Sequence, residues 1–154
     1  MTLSWREIKE REITFSKEWE SASNENADAK SFLDAFFSVF GVSRRRVATF
    51  ETCVKKLDNK DGYIDMLWKG TILIEMKSRG KDLDKAYAQA KDFPGLKEHE
   101  LPKYILVSDF LKFRLYDLEN GNVWTFTLSD FYKKLKPFGF IAGYGNSTEY
   151  KGGF

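Results

Sequence analysis

Asp65, Glu75 and Lys77 are the residues whose types and spacing could do chemistry. They lie in the run Tyr63-Ile64-Asp65-Met66-Leu67-Trp68-Lys69-Gly70-Thr71-Ile72-Leu73-Ile74-Glu75-Met76-Lys77, where two β-rich segments flank a Lys-Gly turn signal, the short-range pattern of a hairpin. The second segment is apolar until it delivers Glu75, Met76 and Lys77, so it reads as a buried central strand that ends in charge. Residues two apart on a strand point to the same side, which sets the Glu75 carboxylate beside the Lys77 ammonium, with Asp65 one hairpin arm away. Two acids and a lysine at one strand end make a candidate site for a hard cation and a phosphate ester.

Whether the two acids can meet depends on the turn. A two-residue loop of Lys69-Gly70 pairs Leu67 with Ile72 and Asp65 with Ile74, sending Glu75 to the opposite face. A three-residue loop, Trp68-Lys69-Gly70 with Gly70 in the left-handed region, or a bulge in either arm, puts both carboxylates on one side. The chemistry therefore predicts an odd-length connection. An isolated carboxylate at the end of a buried strand costs several kcal/mol or takes up a proton, and convergence with a cation removes that cost. The plainer reading of the same residues is a structural ion pair between Lys77 and one acid at the sheet rim.

The elements that must position these groups follow the chain. Residues 1–23 are charge-dense, with Trp5, Ile8, Ile13, Phe15 and Trp19 interspersed, and predict an N-terminal extension of a short helix and a loop packed loosely on the body. A helix is expected from about Asn24 to Phe40, with Phe32, Leu33, Phe36, Phe37, Val39 and Phe40 as its apolar face, Gly41 as its stop, and Glu25 and Asp28 at the positive end of its dipole. Val47 to Lys56 alternates like a first strand, and Asp58 to Gly62 is a turn by composition. Lys81 to about Phe93 carries Leu83, Ala86, Tyr87 and Ala90 at helical spacing before Pro94-Gly95. Tyr104 to Ser108, Phe113 to Leu118 and Val123 to Thr127 read as strands, Ser129 as the N-cap of a short helix to about Leu135, and Pro137 to Tyr144 as a tail strand or docking segment. Residues 145–154 are expected to be a flexible tail. The order predicts an α/β fold, a mixed central sheet flanked by helices, with a helical crossover between the Glu75 and Tyr104 strands that suits a parallel pair.

The chain has 154 residues, enough for one domain with a real core. No apolar run approaches bilayer length, the start lacks a signal-peptide core, and the lone Cys53 excludes an internal disulfide and a thiolate cluster for zinc, so a cytoplasmic setting and no membrane partner are expected. A net charge of +2 does not argue for nucleic acid by itself. Clusters could: Arg44 to Arg46, Lys55-Lys56, Arg79-Gly80-Lys81 and Lys133 to Lys136 are each either a phosphate track or a solvated face. His99 has no Ser, Cys or second His to partner it and reads as an exposed loop residue, and Gly139, Gly143 and Gly145 lack the Gly-Lys-Ser/Thr of a phosphate loop.

A helix, a hairpin bearing Asp65, nine residues, then Glu75-x-Lys77 and a second helix together resemble the PD-(D/E)XK nuclease superfamily, with Ile64 where many members have Pro. Phe50-Glu51, the Lys-Gly before the third strand, Gln89-Ala90-Lys91-Asp92-Phe93, Val107-Ser108-Asp109-Phe110, Phe113 to Leu118 and Phe138 to Tyr144 look like the N-terminal domain of MmeI-like restriction-modification enzymes, a similarity spanning roughly Asn24 to Tyr144. That family joins a nuclease domain to a helical connector, an adenine methyltransferase and a target-recognition domain in one polypeptide. The resemblance implies a restriction-endonuclease-like fold for residues 24–144 and a metal-dependent, prokaryotic, cytoplasmic DNA endonuclease acting on double-stranded DNA.

It further implies that Asp65, Glu75 and the backbone carbonyl of Met76 hold Mg2+, with Mn2+ as a substitute. Lys77 then handles the attacking water, Gln89 orients the phosphate or the lysine, and Glu25 is a candidate additional acid. Phe93 stands where the family motif usually ends in Tyr. Arg79, Lys81, Arg44 and Arg45 are candidate DNA phosphate contacts. S-adenosylmethionine belongs to domains absent from this chain, and transient pairing of two copies on DNA fits a domain that must break both strands. The alternative expectation is a catalytically idle module of the same fold that grips DNA or docks a methyltransferase.

Overall fold

Strand-forming runs between Thr49 and Thr127 assemble into one six-stranded sheet in the computed structural model, which describes residues 2–55, 61–91 and 96–144. The strands are β1 (Thr49–Lys55), β2 (Asp61–Trp68), β3 (Ile72–Met76), β4 (Tyr104–Ser108), β5 (Lys112–Asp117) and β6 (Val123–Thr127), and they lie side by side in chain order. Every neighbouring pair is antiparallel except β3 and β4, which run parallel. A parallel pair cannot be joined by a tight turn, and the helix over Leu83–Ala90 between them supplies the crossover. The mixed sheet with helices on it is the α/β architecture that the element order predicts.

Alternation along the strands divides the core into two layers. Met66, Ile72, Ile74, Met76, Leu106, Phe113 and Leu115 face the larger layer, while Leu67, Leu73, Ile105 and Val107 face the smaller one. The larger layer is covered by α1 (Trp5–Trp19) and α2 (Glu25–Val39). Phenylalanine dominates it: Phe36 is fully buried and its ring meets those of Phe15, Phe37, Phe40, Phe131 and Phe138. Burial of each such side chain stabilises by about 1.5–3 kcal/mol. The smaller layer is covered by α4 (Leu83–Ala90), through Leu83, Ala86 and Ala90. A one-turn helix, α3 (Arg44–Val47), leads into β1.

Three elements differ from what the sequence predicts. The segment over residues 1–23 does not pack loosely: α1 buries Ile8, Glu12 and Phe15 against α2 and the sheet. Glu12 is held there by the Ser16 hydroxyl, which donates to it, and burial pushes its carboxyl up from the ordinary range. Pro137 to Tyr144 is not a strand. Pro137 opens a 3-10 turn (Lys136–Phe138) that runs into α5 (Gly139–Ala142). It does dock: Phe138 and Ile141 are buried, the Tyr144 ring stacks on Trp5 at 4.9 Å, and the Tyr144 hydroxyl donates to the Leu3 carbonyl at 2.7 Å. The helix expected from Ser129 is a 3-10 turn over Leu128–Lys133, with Thr127 rather than Ser129 at its N-cap position. Of the turn expected at Asp58 to Gly62, residues 58–60 lie outside the described residues and Asp61 and Gly62 belong to β2. The tail over residues 145–154 also lies outside them. Among the described residues no helix is long and apolar enough to cross a membrane.

Candidate active site

The β2–β3 turn decides the site. Trp68 pairs with Ile72, Leu67 with Leu73 and Met66 with Ile74, so the loop is Lys69-Gly70-Thr71. Its length is odd, as the chemistry requires, although the expected loop started one residue earlier, at Trp68. Gly70 takes φ +75, its amide donates to the Glu100 carbonyl at 3.1 Å, and Lys69 pairs with the Glu100 carboxylate at 3.1 Å. Continuing that register places Asp65 directly across from Glu75.

At that step side chains replace the backbone ladder. The Asp65 amide donates to Glu75 Oε1 at 3.2 Å, and the Met76 amide donates to Asp65 Oδ2 at 2.7 Å. Each acid thereby satisfies the main chain of the opposite strand, and the two carboxyl groups are also in hydrogen-bond contact with each other. Glu75 is 5% exposed, and its carboxyl is pushed up to about 8, by burial first and by the Asp65 charge second. Burial also raises Asp65, against the Met76 amide that lowers it, with the Glu25 charge raising it further. Lys77 draws both acids down but does not cancel their burial.

Lys77 and Gln89 meet, as the family resemblance implies. Two residues after Glu75 on the same side, Lys77 Nζ donates to Gln89 Oε1 at 3.0 Å from the α4 face. The segment after Lys77 is clamped to the start of α2. Ser78 Oγ accepts the Glu25 amide at 3.1 Å, the Arg79 amide donates to the Ser23 carbonyl at 2.9 Å, and the buried Asp109 accepts the Gly80 amide at 3.0 Å. That clamp brings Glu25 close enough to act electrostatically on both acids, with Asn24 capping the helix through the Ala27 amide. Glu25, Lys30, Phe50, Glu51 and Asp65 line a cleft of about 380 Å3.

The basic candidates separate. The Arg79 guanidinium donates to the Glu20 and Ala22 carbonyls at 3.0 and 2.7 Å, so it ties the α1–α2 connection down. Arg44 bonds Asp34 and the Ala48 carbonyl and lies 3.9 Å over the Phe50 ring, with only 13% of its side chain exposed. Both are spoken for structurally. Arg45 and Lys81 are exposed, Arg45 beside a groove it shares with Arg11 and Asp34, and Lys81 just ahead of α4. His99 is exposed, as expected of a loop residue. Phe93, of the second-helix motif, lies outside the described residues. Lys30 and Ser78 carry no signal in the sequence, while Glu51 and Asp109 fall within the motifs that match the family but take no site role from them.

The donor set suits a small hard cation. Among the described residues no three His, Cys, Asp or Glu side chains stand together as a metal cluster, and the two acids that touch are Asp65 and Glu75. Magnesium keeps several waters and is commonly bound through one or two carboxylates plus substrate phosphate, which two adjacent acids raised by burial match.

A family model described as MmeI, N-terminal domain, matches residues 10–151. No curated protein matches the chain. Among solved structures, one titled "cryoEM structure DrdV-DNA complex" is similar, with a TM-score of 0.52 and 14% identity, over 91% of this chain and 13% of that one. The likeness carries the fold, and this chain spans about an eighth of the neighbour's length.

Proposed function

We propose, because this chain belongs to the MmeI N-terminal domain family, that it is a metal-dependent DNA endonuclease domain of a restriction enzyme that hydrolyses phosphodiester bonds. One observation carries the reading: Asp65 and Glu75 meet where the β2–β3 ladder gives way to side-chain bonds, and Lys77, held by Gln89, is near enough for its charge to act on both. The family and the DNA complex formed by a structural neighbour support DNA as substrate.

In this mechanism Asp65 and Glu75, with the Met76 carbonyl, would hold Mg2+ or Mn2+. The bound ion supplies Lewis-acid polarisation of the scissile phosphate and a water of lowered pKa. Lys77 orients the attacking water or takes its proton, and its charge offsets the negative charge that develops on the phosphate oxygens. Gln89 fixes the lysine through their hydrogen bond, which limits the positions Nζ can take. Glu25 adds negative charge that favours cation uptake without serving as a third ligand. Of Arg44, Arg45, Arg79 and Lys81, the exposed Lys81 and Arg45 are the two left to meet DNA phosphates, so binding weakens with salt. Target recognition and adenine methylation, with its S-adenosylmethionine, would come from further domains of a longer polypeptide in a prokaryotic cytoplasm, and cleavage of both strands from transient pairing on DNA.

The test is nicking of plasmid DNA with Mg2+ or Mn2+ by the wild type and by Lys77→Ala, run on this chain and on any longer polypeptide that contains it. The reading requires metal-dependent cleavage that Lys77→Ala suppresses. Cleavage that survives the substitution overturns it, and DNA binding with no cleavage by either protein leaves the idle DNA-gripping module instead.

A further inference from the structure

Glu51 breaks two regularities at once. It has φ +51, one of two non-glycine residues in the left-handed region among the described residues. In the β1–β2 register Phe50 pairs with Met66 and Thr52 with Ile64, while Glu51, which falls opposite Asp65, makes no ladder pair. On the β2 side the alternation slips at the same step. Met66 packs in the larger core layer, yet Ile64, two residues away, packs with Leu67 in the smaller one. Residues two apart on a regular strand share a face, so Asp65 sits on a local twist between them.

We infer that Glu51 is a positioning residue for Asp65: its left-handed backbone interrupts the β1–β2 ladder so that Asp65 is turned out of both core layers toward Glu75 and the cleft. The inference rests on the nuclease reading of this site and names the backbone kink, not the carboxylate, as the agent. The Glu51 carboxylate has another engagement, a Lys30 ion pair at 3.1 Å with both side chains more than half exposed, and such pairs hold little energy. A glutamate is an expensive choice for this conformation. Strain kept at one residue beside a candidate catalytic acid is the pattern expected where the surrounding fold over-determines the site.

The kink and the carboxylate separate experimentally. Glu51→Gly and Glu51→Asn remove the carboxylate and adopt the left-handed region easily, whereas Glu51→Val strongly disfavours it. Mn2+ binding by calorimetry and melting of the metal-free chain are the readouts, with Asp65→Ala as control. Expected are wild-type Mn2+ affinity in the glycine and asparagine variants, a Glu51→Gly melting temperature at or above the wild type, and about 10–100-fold weaker Mn2+ binding in Glu51→Val. Wild-type affinity in a folded Glu51→Val overturns the inference. So does a loss in Glu51→Gly and Glu51→Asn matching that of Asp65→Ala, which would make the carboxylate the agent; those two variants decide the matter even if Glu51→Val fails to fold. If the wild type and Asp65→Ala alike bind no Mn2+, the nuclease reading of the site fails and takes this inference with it.

Discussion

Lys77 and Gln89 are joined by a 3.0 Å hydrogen bond from the end of β3 to the exposed face of α4, across the crossover that makes β3 and β4 parallel. The amide oxygen holds the ammonium without neutralising it. Replacing Lys77 by Ala is expected to lower metal-dependent DNA cleavage by about 10²–10⁴-fold, the usual contribution of a proton-transfer group. Gln89→Ala, which leaves the ammonium but frees it, is expected to cost less. Single-turnover nicking rates check both, and equal losses would show that the glutamine does more than orient.

The buried acid pair sets a pH dependence. Glu75 ionises near pH 8 in the folded chain and near 4.5 when unfolded, so the unfolded state gives up this proton first as the pH rises. The stability carried by the neutral carboxyl is complete below about 4.5 and is lost progressively up to about 8. Melting temperature of the metal-free chain should therefore fall across that window, and Glu75→Gln should flatten the fall. Differential scanning calorimetry at several pH values is the measurement.

Metal should reverse that loss. A cation that binds only the folded state stabilises it in proportion to RT ln(1 + [M]/Kd). Mn2+ is expected to raise the melting temperature more at pH 8 than at pH 5, and Glu75→Gln or Asp65→Asn to abolish the rise. A shift that persists in both variants would place the ion elsewhere.

The odd-length turn can be probed directly. Gly70→Ala puts a side chain on a residue at φ +75, whose Cβ would meet the His99 carbonyl oxygen at 3.1 Å. A loss of about 1–2 kcal/mol is expected from the backbone alone, read by urea denaturation. Deleting Lys69 instead makes the loop two residues long, and a one-residue slip turns Glu75 away from Asp65. Metal binding should disappear in that variant, while a shortened strand could keep the sheet.

Phe36→Ala is expected to cost about 3–5 kcal/mol, as for other fully buried aromatic side chains. The ring is shared by α1, α2 and the elements after β6, so its loss loosens all three together. Chemical denaturation at constant pH checks the magnitude.

Much of this arrangement is legible in the sequence because it follows period and parity. The 3.6-residue spacing from Phe32 to Phe40 and the capping Asn24 mark α2 to within a residue, and the need for two acids on one face fixes the turn as odd. What hid α1 was Glu12. Trp5, Ile8, Glu12, Phe15 and Trp19 follow one another at steps of three and four, a single helix face, but an acid in the middle breaks the apolar stripe and Ile13, which is exposed, suggests a false one. Phe138 to Tyr144 reads as a strand because its aromatics and β-formers outvote the helix-starting Pro137. Phe50-Glu51 stands out in the sequence as a family match, but its left-handed backbone does not, since a left-handed glutamate is chosen by tertiary context against its own preference. Arg44 and Arg79 mislead for a related reason: composition counts charges, while geometry decides which of them already serve main-chain carbonyls.

The bond from the Tyr144 hydroxyl to the Leu3 carbonyl links positions 141 residues apart and nearly shuts the chain into a ring. A short peptide joining those two points, with new termini opened in the exposed Glu119 to Asn122 turn, would give a circular permutant in which every strand keeps its neighbours. In such a protein β5 and β6 would lie at opposite ends of the polypeptide, so the hairpin that now forms locally would have to close last, while the acid pair and its lysine would stay on one uninterrupted stretch.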